Sequence, residues 1–394
     1  MALSPSMPVG VLGSGAMGSG IAQVASAAGH PVVLGDVSES ALARATAEIG
    51  RALDRDVQKQ RRTAAEAKAV LSRIRPGPVD DRFSIFAGCG LVIEAIVEDL
   101  DAKRKAFTGL EAVTGSDAVL ASNTSSLSIT AIAASCRRPE RVAGIHFFNP
   151  APVMPLVEIV GGHATDPALL QDVRRLIDGW GKTTVVAADT PGFIVNRVAR
   201  PFYGEALRLF EEGVADPATI DWAMRELGGF RMGPFELMDL IGNDVNYAVT
   251  RSVFEAFAWE PRYRPSLAQR RLVDARLFGK KSGRGWYDYR NGTPAPEPDR
   301  DPELGRRIVD RIVAMLINEA ADAVFLRVAT PQDIDLAMTK GVNYPRGLLQ
   351  WADQIGVTTV HQRLAALQEE YGEDRYRPSP LLRRMARDGR RFYQ

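Results

Sequence analysis

Two cysteines in 394 residues, Cys89 and Cys136, leave no material for a disulfide framework, and no C-x-x-C pair or His/Cys cluster stands at metal-ligand spacing. Structural zinc is excluded on the same ground. Charge of one sign is also missing: 49 Lys and Arg face 48 Asp and Glu, a formal net charge of +1. No global field therefore recruits nucleic acid or a membrane, although a local patch is still able to bind phosphate. No apolar run reaches the length of a bilayer span, and residues 1–8 lack the basic start and long apolar stretch of a signal peptide. The absences predict a metal-free protein of a reducing cytoplasm, with no leader and no membrane anchor. With 45% hydrophobic residues the chain is able to bury a sizeable core, and its length suits two or three domains.

What is present begins at Val9. A short apolar strand, Val9 to Leu12, runs into Gly13-Ser14-Gly15-Ala16-Met17-Gly18 and then a helical stretch through Ala25. This is G-x-G-x-x-G between a strand and a helix, the setting in which it binds a dinucleotide. Gly13 permits the tight turn, Gly15 lets the backbone approach a pyrophosphate, Gly18 lets helix and strand pack closely, and the free amides at Ala16 and Met17 attract the anion. A second strand, Val32 to Gly35, ends at Asp36, where a carboxylate meets a ribose 2′-hydroxyl. Val37 and Ser38 offer no arginine for a 2′-phosphate, so the pattern predicts NAD rather than NADP.

From Glu39 to about Leu71 the pattern is one charged helical run, with Lys59, Arg61 and Arg62 toward its far half. Further strands are expected at Leu91 to Ala95, Ala118 to Ala121, Leu156 to Val160 and Thr184 to Ala187. Strands alternating with helices predict a parallel, doubly wound sheet. In such sheets ligands sit beyond the carboxyl ends of the strands, which directs Glu98, the loop Ser122 to Ser126 and His146 toward one crevice. His146 follows an apolar strand in His146-Phe147-Phe148-Asn149-Pro150, and Glu158 lies twelve residues on, behind a Pro-rich turn. An imidazole whose second nitrogen meets a carboxylate is a general acid/base near neutral pH. His30, His163 and His361 have no companion motif and read as surface or packing residues.

Asp189-Thr190-Pro191-Gly192 breaks the α/β pattern, and a long helix is expected from Phe193 to Glu212 with Asn196 in its first turns. The remainder reads as helical and duplicated. Asp221 and Asp335 stand 114 residues apart, an offset shared by Gly204-Glu205 with Asn318-Glu319, by Asp239 with Asp353 and by Ile241-Gly242 with Ile355-Gly356. The expected organisation is an α/β Rossmann-type domain over residues 1–190, a first helical domain over 191–290, a Pro-rich linker over 291–302, and a second, degenerate helical copy over 303–394. The fold class is thus Rossmann-type α/β followed by two tandem homologous all-α domains.

Taken together, Gly13 to Gly18, Ser122-Asn123-Thr124-Ser125-Ser126, His146 to Pro150, Glu158 and Asp189 to Arg197 resemble the L-3-hydroxyacyl-CoA dehydrogenase family, over a span from about residue 8 to Tyr289. The duplicated helical part is similar to the longer bacterial members, which act on 3-hydroxybutyryl-CoA or, in phenylacetate catabolism, on 3-hydroxyadipyl-CoA. The resemblance implies NAD as cofactor and acyl-CoA as substrate, with His146 as catalytic histidine and Glu158 as its orienting carboxylate. It further implies Ser125 and Asn196 on the substrate 3-oxygen. Asn149 and Asn123 fall at the nicotinamide half of the cofactor or the reacting acyl group, Glu98 and Lys103 near its ribose, and Lys281 where a lysine reaches the cofactor from the helical domain. Lys59 and Arg61 either meet a coenzyme A phosphate or belong to a solvated face. Family members dimerise through the helical domain. The second copy is accordingly expected to pack on the first as an internal pseudo-dimer, with a homodimer of whole chains left open. Three other readings compete: a serine nucleophile at Ser125, which lacks a G-x-S-x-G elbow; a sugar-acid dehydrogenase of L-gulonate type; and a non-catalytic NAD-binding protein that kept the fold.

Overall fold

The structure is a computed structural model that describes residues 3–4, 6–290, 292–294 and 296–393. Asn291 and Ala295 of the expected linker lie outside the described residues, as do Met1, Ala2, Pro5 and Gln394. The chain divides into two compact units, 1–193 and 194–394.

The first unit is built on eight strands: β1 (Val9–Leu12), β2 (Val32–Asp36), β3 (Ile74–Pro78), β4 (Leu91–Glu94), β5 (Val119–Ser122), β6 (Val142–Phe147), β7 (Leu156–Gly161) and β8 (Thr183–Ala188). Helices α1 (Ala16–Ala27), α2 (Glu39–Gln58), α3 (Ala64–Ser72), α4 (Leu100–Val113), α5 (Ile129–Ala133) and α6 (Pro167–Gly179) alternate with them. The sheet order is β3-β2-β1-β4-β5-β6-β7-β8, with the chain reversing direction across the sheet between β1 and β4. Ligands bind at such switch points. The strands β1, β4 and β5 carry side chains buried throughout, as both covered faces of a parallel sheet require.

Four local expectations need correction. The run from Glu39 to Leu71 is two helices, because Gln60 turns to φ +55° and Thr63 then opens α3 with a reciprocal capping box to Glu66. Strand β3 was not anticipated, since its sequence Ile-Arg-Pro-Gly-Pro is tolerable only at a sheet edge, where it lies. The sheet is not wholly parallel: β7 runs antiparallel to β6. Only eight residues join the two strands and no helix lies among them, too few for a parallel crossover. The expected helix from Phe193 is two pieces, α7 (Val195–Val198) and α8 (Arg200–Glu211), after Phe193 itself takes φ +47°.

The second unit is mainly helical, with two isolated antiparallel bridges between Gly279 and Asp288. Beyond α7 and α8 it contains α9 (Pro217–Trp222), α10 (Pro234–Ile241), α11 (Asn243–Ala256), α12 (Leu267–Asp274), α13 (Pro302–Phe325), α14 (Pro331–Gly341), α15 (Leu348–Ile355), α16 (Val357–Tyr371) and α17 (Pro380–Asp388). Pro302, expected as the last linker residue, is already the first residue of α13, capped by Asp301. Positions that share the 114-residue offset make matching bonds. Asp221 accepts from the amides of Phe235 and Glu236 and from the Tyr287 hydroxyl; Asp335 accepts from the amides of Leu349 and Gln350 and from the Tyr393 hydroxyl. Asp239 accepts from the amides of Trp286 and Tyr287, and Asp353 from those of Phe392 and Tyr393. The match of the donors, Trp286-Tyr287 with Phe392-Tyr393, escaped the sequence because their spacing differs from 114. Among the described residues no helix is long and apolar enough to cross a membrane.

Candidate active site

The three fingerprint glycines do three different things. Gly13 sits at φ +101°, and a Cβ there would stand 2.6 Å from the Ala95 carbonyl oxygen. At Gly18 a Cβ would stand 1.8 Å from the Gly13 carbonyl, so β1 and α1 cross too closely for any side chain. Gly15 is exposed and its Cβ would meet nothing within 4 Å. It is also the N-cap of α1 and supplies no side-chain cap, which leaves the amides of the first turn, at Ala16 and Met17, open to an anion. That open cradle fits a pyrophosphate.

Asp36 closes β2. Its carboxylate accepts from the Ser14 amide at 2.7 Å, the Ser14 hydroxyl at 2.8 Å and the Ser38 amide at 3.0 Å. Burial pushes its pKa up, but these hydrogen bonds outweigh it and hold the group below its ordinary value. An ionised acceptor at the end of β2 fits a ribose diol.

At the ends of β4 and β5 a polar cluster forms that the sequence only half disclosed. Glu94, read as a strand residue, is fully buried and receives Lys103 Nζ at 2.6 Å, the Ile96 amide at 2.7 Å and the Ser122 hydroxyl at 2.7 Å. Lys103 is 1% exposed, and its ammonium also lies 3.3 Å from Glu98. Its charge is therefore spent on two carboxylates. Glu98 in turn accepts from the Thr124 hydroxyl at 2.5 Å, the Ser126 hydroxyl at 2.9 Å and the Ser125 amide at 3.2 Å. Desolvation raises the Glu98 pKa, and the Thr124 bond and Lys103 more than reverse that. A buried acid in a strand followed by a lysine nine residues on was the available signal for this cluster.

The same loop is tied to the histidine strand: Asn123 Oδ1 accepts from the Phe147 amide at 2.9 Å. His146 and Glu158 are direct partners in the antiparallel register of β6 and β7, both buried, with Nδ1 and Oε2 2.6 Å apart. The imidazole packs against Phe148 and Phe193, with ring centroids at 4.5 and 5.9 Å. A carboxylate has no proton to give, so Nδ1 is assigned as donor, leaving the Nε2 lone pair free to accept one. Asp189, read only as a breaker, instead caps α5 through the Ile129 and Thr130 amides and the Ser128 hydroxyl.

The first unit thus brings together Gly13, Gly15, Gly18 and Asp36 on the nucleotide side, and Glu98, Lys103, Asn123, Ser125, His146 and Glu158 on the other. Asn149 is exposed just beyond β6, and Lys59 is exposed at the end of α2. Asn196 and Lys281 belong to the second unit, where Asn196 is half-buried in α7 and Lys281 pairs with Asp244. His30 bridges the Met7 carbonyl and the Trp180 indole, a packing role. Among the described residues no group of three His, Cys, Asp or Glu is placed to hold a metal ion.

Comparison with known proteins agrees with this geometry. The family model for the 3-hydroxyacyl-CoA dehydrogenase NAD binding domain matches residues 8–190, and that for the C-terminal domain of the same family matches 192–289 and again 308–391. The chain is 42% identical to a 3-hydroxyadipyl-CoA dehydrogenase of Escherichia coli, over 96% of this chain and 97% of that protein. It is 41% identical to the human mitochondrial hydroxyacyl-coenzyme A dehydrogenase, over 72% of this chain and 91% of the relative. The crystal structure of a 3-hydroxybutyryl-CoA dehydrogenase from Escherichia coli superposes with a TM-score of 0.92 at 41% identity, covering 98% of each chain. On the evidence of its fingerprint, its histidine–glutamate pair and these matches along both units, the chain belongs to the 3-hydroxyacyl-CoA dehydrogenase family.

Proposed function

We propose that the protein catalyses the reversible, NAD-dependent oxidation of (S)-3-hydroxyacyl-CoA to 3-oxoacyl-CoA. The proposed substrate is 3-hydroxybutyryl-CoA or 3-hydroxyadipyl-CoA, in cytoplasmic fatty-acid or phenylacetate-type catabolism. The observation that carries this reading is the 2.6 Å contact between His146 Nδ1 and Glu158 in the unit that holds the nucleotide fingerprint.

The chemistry follows from the arrangement. His146 Nε2 takes the 3-hydroxyl proton in oxidation and returns it to the forming alkoxide in reduction. Glu158 fixes the tautomer and stabilises the imidazolium that forms, while Phe148 and Phe193 keep the ring out of water. NAD, when bound on Gly13 to Gly18 and Asp36, supplies the hydride acceptor. Ser125, whose amide Glu98 holds, and Asn196 orient the 3-oxygen by hydrogen bonds. Asn149 and Asn123 border the reacting group, and Lys59 is the proposed coenzyme A contact. Lys103 supports the ribose end through Glu98, and Lys281 approaches the cofactor from the helical unit. Measuring NADH consumption with 3-oxoacyl-CoA thioesters of graded chain length tests the reading. Failure to turn over any of them overturns it, and turnover of L-gulonate instead identifies the sugar-acid branch.

We also infer that residues 191–290 and 303–394 are homologous copies that pack as an internal pseudo-dimer. Two reciprocal sets of bonds support this. Arg197 and Tyr263 bind Glu319, while Arg311 and Tyr376 bind Glu205, so each copy offers its arginine and tyrosine to the glutamate of the other. Such exchange is what a two-fold axis produces.

A further inference from the structure

Six arginines are buried among the described residues, and five of them have a carboxylate within ion-pair distance: Arg141, Arg197, Arg262, Arg311 and Arg375. Arg200 has none. It opens α8, is 7% exposed, donates from Nη1 to the Thr250 hydroxyl at 3.2 Å, and stacks over the Tyr203 ring at 4.9 Å. Its Nε finds no partner. Tyr344, within electrostatic reach of the same guanidinium and 6% exposed, has a hydroxyl without a partner as well. Burial holds both phenols, Tyr203 and Tyr344, above their ordinary pKa, so neither supplies the missing negative charge. A buried guanidinium with no anion is costly, and proteins otherwise pair or neutralise such charges. Tyr203 and Thr250 also line a cavity of about 320 Å³ in the helical unit, together with Arg208, Arg264 and one carboxylate, Glu211.

We propose that Arg200, with Thr250 and Tyr344, is a carboxylate-binding site that receives the distal carboxylate of a dicarboxylyl-CoA substrate. The proposal rests on the dehydrogenase reading above and specifies its substrate class. Arg200 lies four residues beyond Asn196, across the Ala199 that separates α7 from α8 and keeps right-handed angles, so the two positions stand about one helical turn, roughly 6 Å, apart. If Asn196 holds the 3-oxygen, a chain continuing three carbons past C3 carries its terminal carboxylate over a comparable distance. Guanidinium is the side chain whose fork matches a carboxylate, and the unpaired Nε and the Tyr344 hydroxyl are the donors left to meet it.

The test compares kcat/KM for 3-oxoadipyl-CoA and for 3-oxohexanoyl-CoA, chains of equal length that differ only in the terminal carboxylate. Wild type is expected to favour the adipyl thioester by about 10- to 100-fold, the range of a charge-assisted hydrogen bond. Arg200→Met is expected to bring the ratio near one, and Arg200→Lys to keep part of it. Should the methionine variant fail to fold, Tyr344→Phe removes only an unpartnered hydroxyl and is expected to lower the same ratio. Equal turnover of the two thioesters by wild type, or an unchanged ratio in Arg200→Met, overturns the site while leaving the dehydrogenase reading intact. Stabilisation by free adipate with no preference between thioesters also overturns it, since the site then serves a free carboxylate. Absence of turnover with every thioester overturns the dehydrogenase reading and this assignment together.

Discussion

His146 and Glu158 meet because they are opposite one another in the one antiparallel pair of an otherwise parallel sheet. Facing residues on one side of a ladder bring their Cβ atoms within about 5 Å, so the register alone delivers the carboxylate to the imidazole. Glu158→Gln keeps the shape and removes the charge that stabilises an imidazolium. It is expected to lower kcat by about 10²- to 10⁴-fold, with a smaller effect on KM, in steady-state kinetics. A kcat within threefold of wild type would show that the pair is structural.

The fingerprint glycines separate binding from folding. Gly15→Val places a side chain in open space where the cofactor is proposed to lie, so KM for NAD is expected to rise at least about tenfold with the thermal midpoint unchanged. Gly18→Ala forces a Cβ onto the Gly13 carbonyl and is expected to destabilise the fold by about 1–3 kcal/mol. Thermal unfolding and NAD titration of both variants check the contrast. Equal losses of stability would mean that Gly15 serves packing too.

Glu319 is fully buried between Arg197, Arg262 and Tyr263, and the two arginines together with the Tyr263 hydroxyl keep its pKa down against the cost of desolvation. Glu319→Ala leaves Arg197 without its carboxylate and is expected to cost about 3–5 kcal/mol in denaturant unfolding. Glu205→Ala strips the reciprocal partner from Arg311 but leaves it Glu212, and is expected to cost less. A neutral outcome for either variant would argue against the reciprocal packing.

Asp221 gives the pH dependence. Burial pushes its pKa up to about 7, outweighing the Tyr287 hydroxyl and the two amides that it accepts. The folded state therefore holds this proton more tightly than the unfolded chain, whose Asp titrates near 4. The sign follows: its contribution to stability is fully present below about pH 4 and is lost as pH rises to about 7, a change of up to a few kcal/mol. The stability difference between wild type and Asp221→Asn is expected to shift against wild type over that window, read as thermal midpoints across a pH series. A pH-independent difference would refute the raised pKa.

Much of the site was legible because its signals are local. The glycine fingerprint, Asp36 at the end of a strand, and a histidine at the end of another are short-range patterns whose spacing follows from strand and helix geometry. The offset of 114 residues likewise lies in the chain itself, and it led to Asp221 and Asp335, whose bonds match in the structure. Breaks in the helices were harder to read, because Gln60 and Phe193 take left-handed angles that nothing in their residue types demands.

Residue type, period and spacing along the chain determined the Rossmann-type sheet, the preference for NAD and the pairing of His146 with Glu158, since each depends on neighbours within a few tens of residues. Only the tertiary structure decided that Lys103 is consumed by Glu94 and Glu98, that Glu319 and Glu205 take arginines from the opposite halves of the helical unit, and that, among the described residues, Arg200 alone of the buried arginines lacks a carboxylate. Pairing of a buried charge is set by which distant segments pack around it, and no property of the residue's own sequence neighbourhood carries that information.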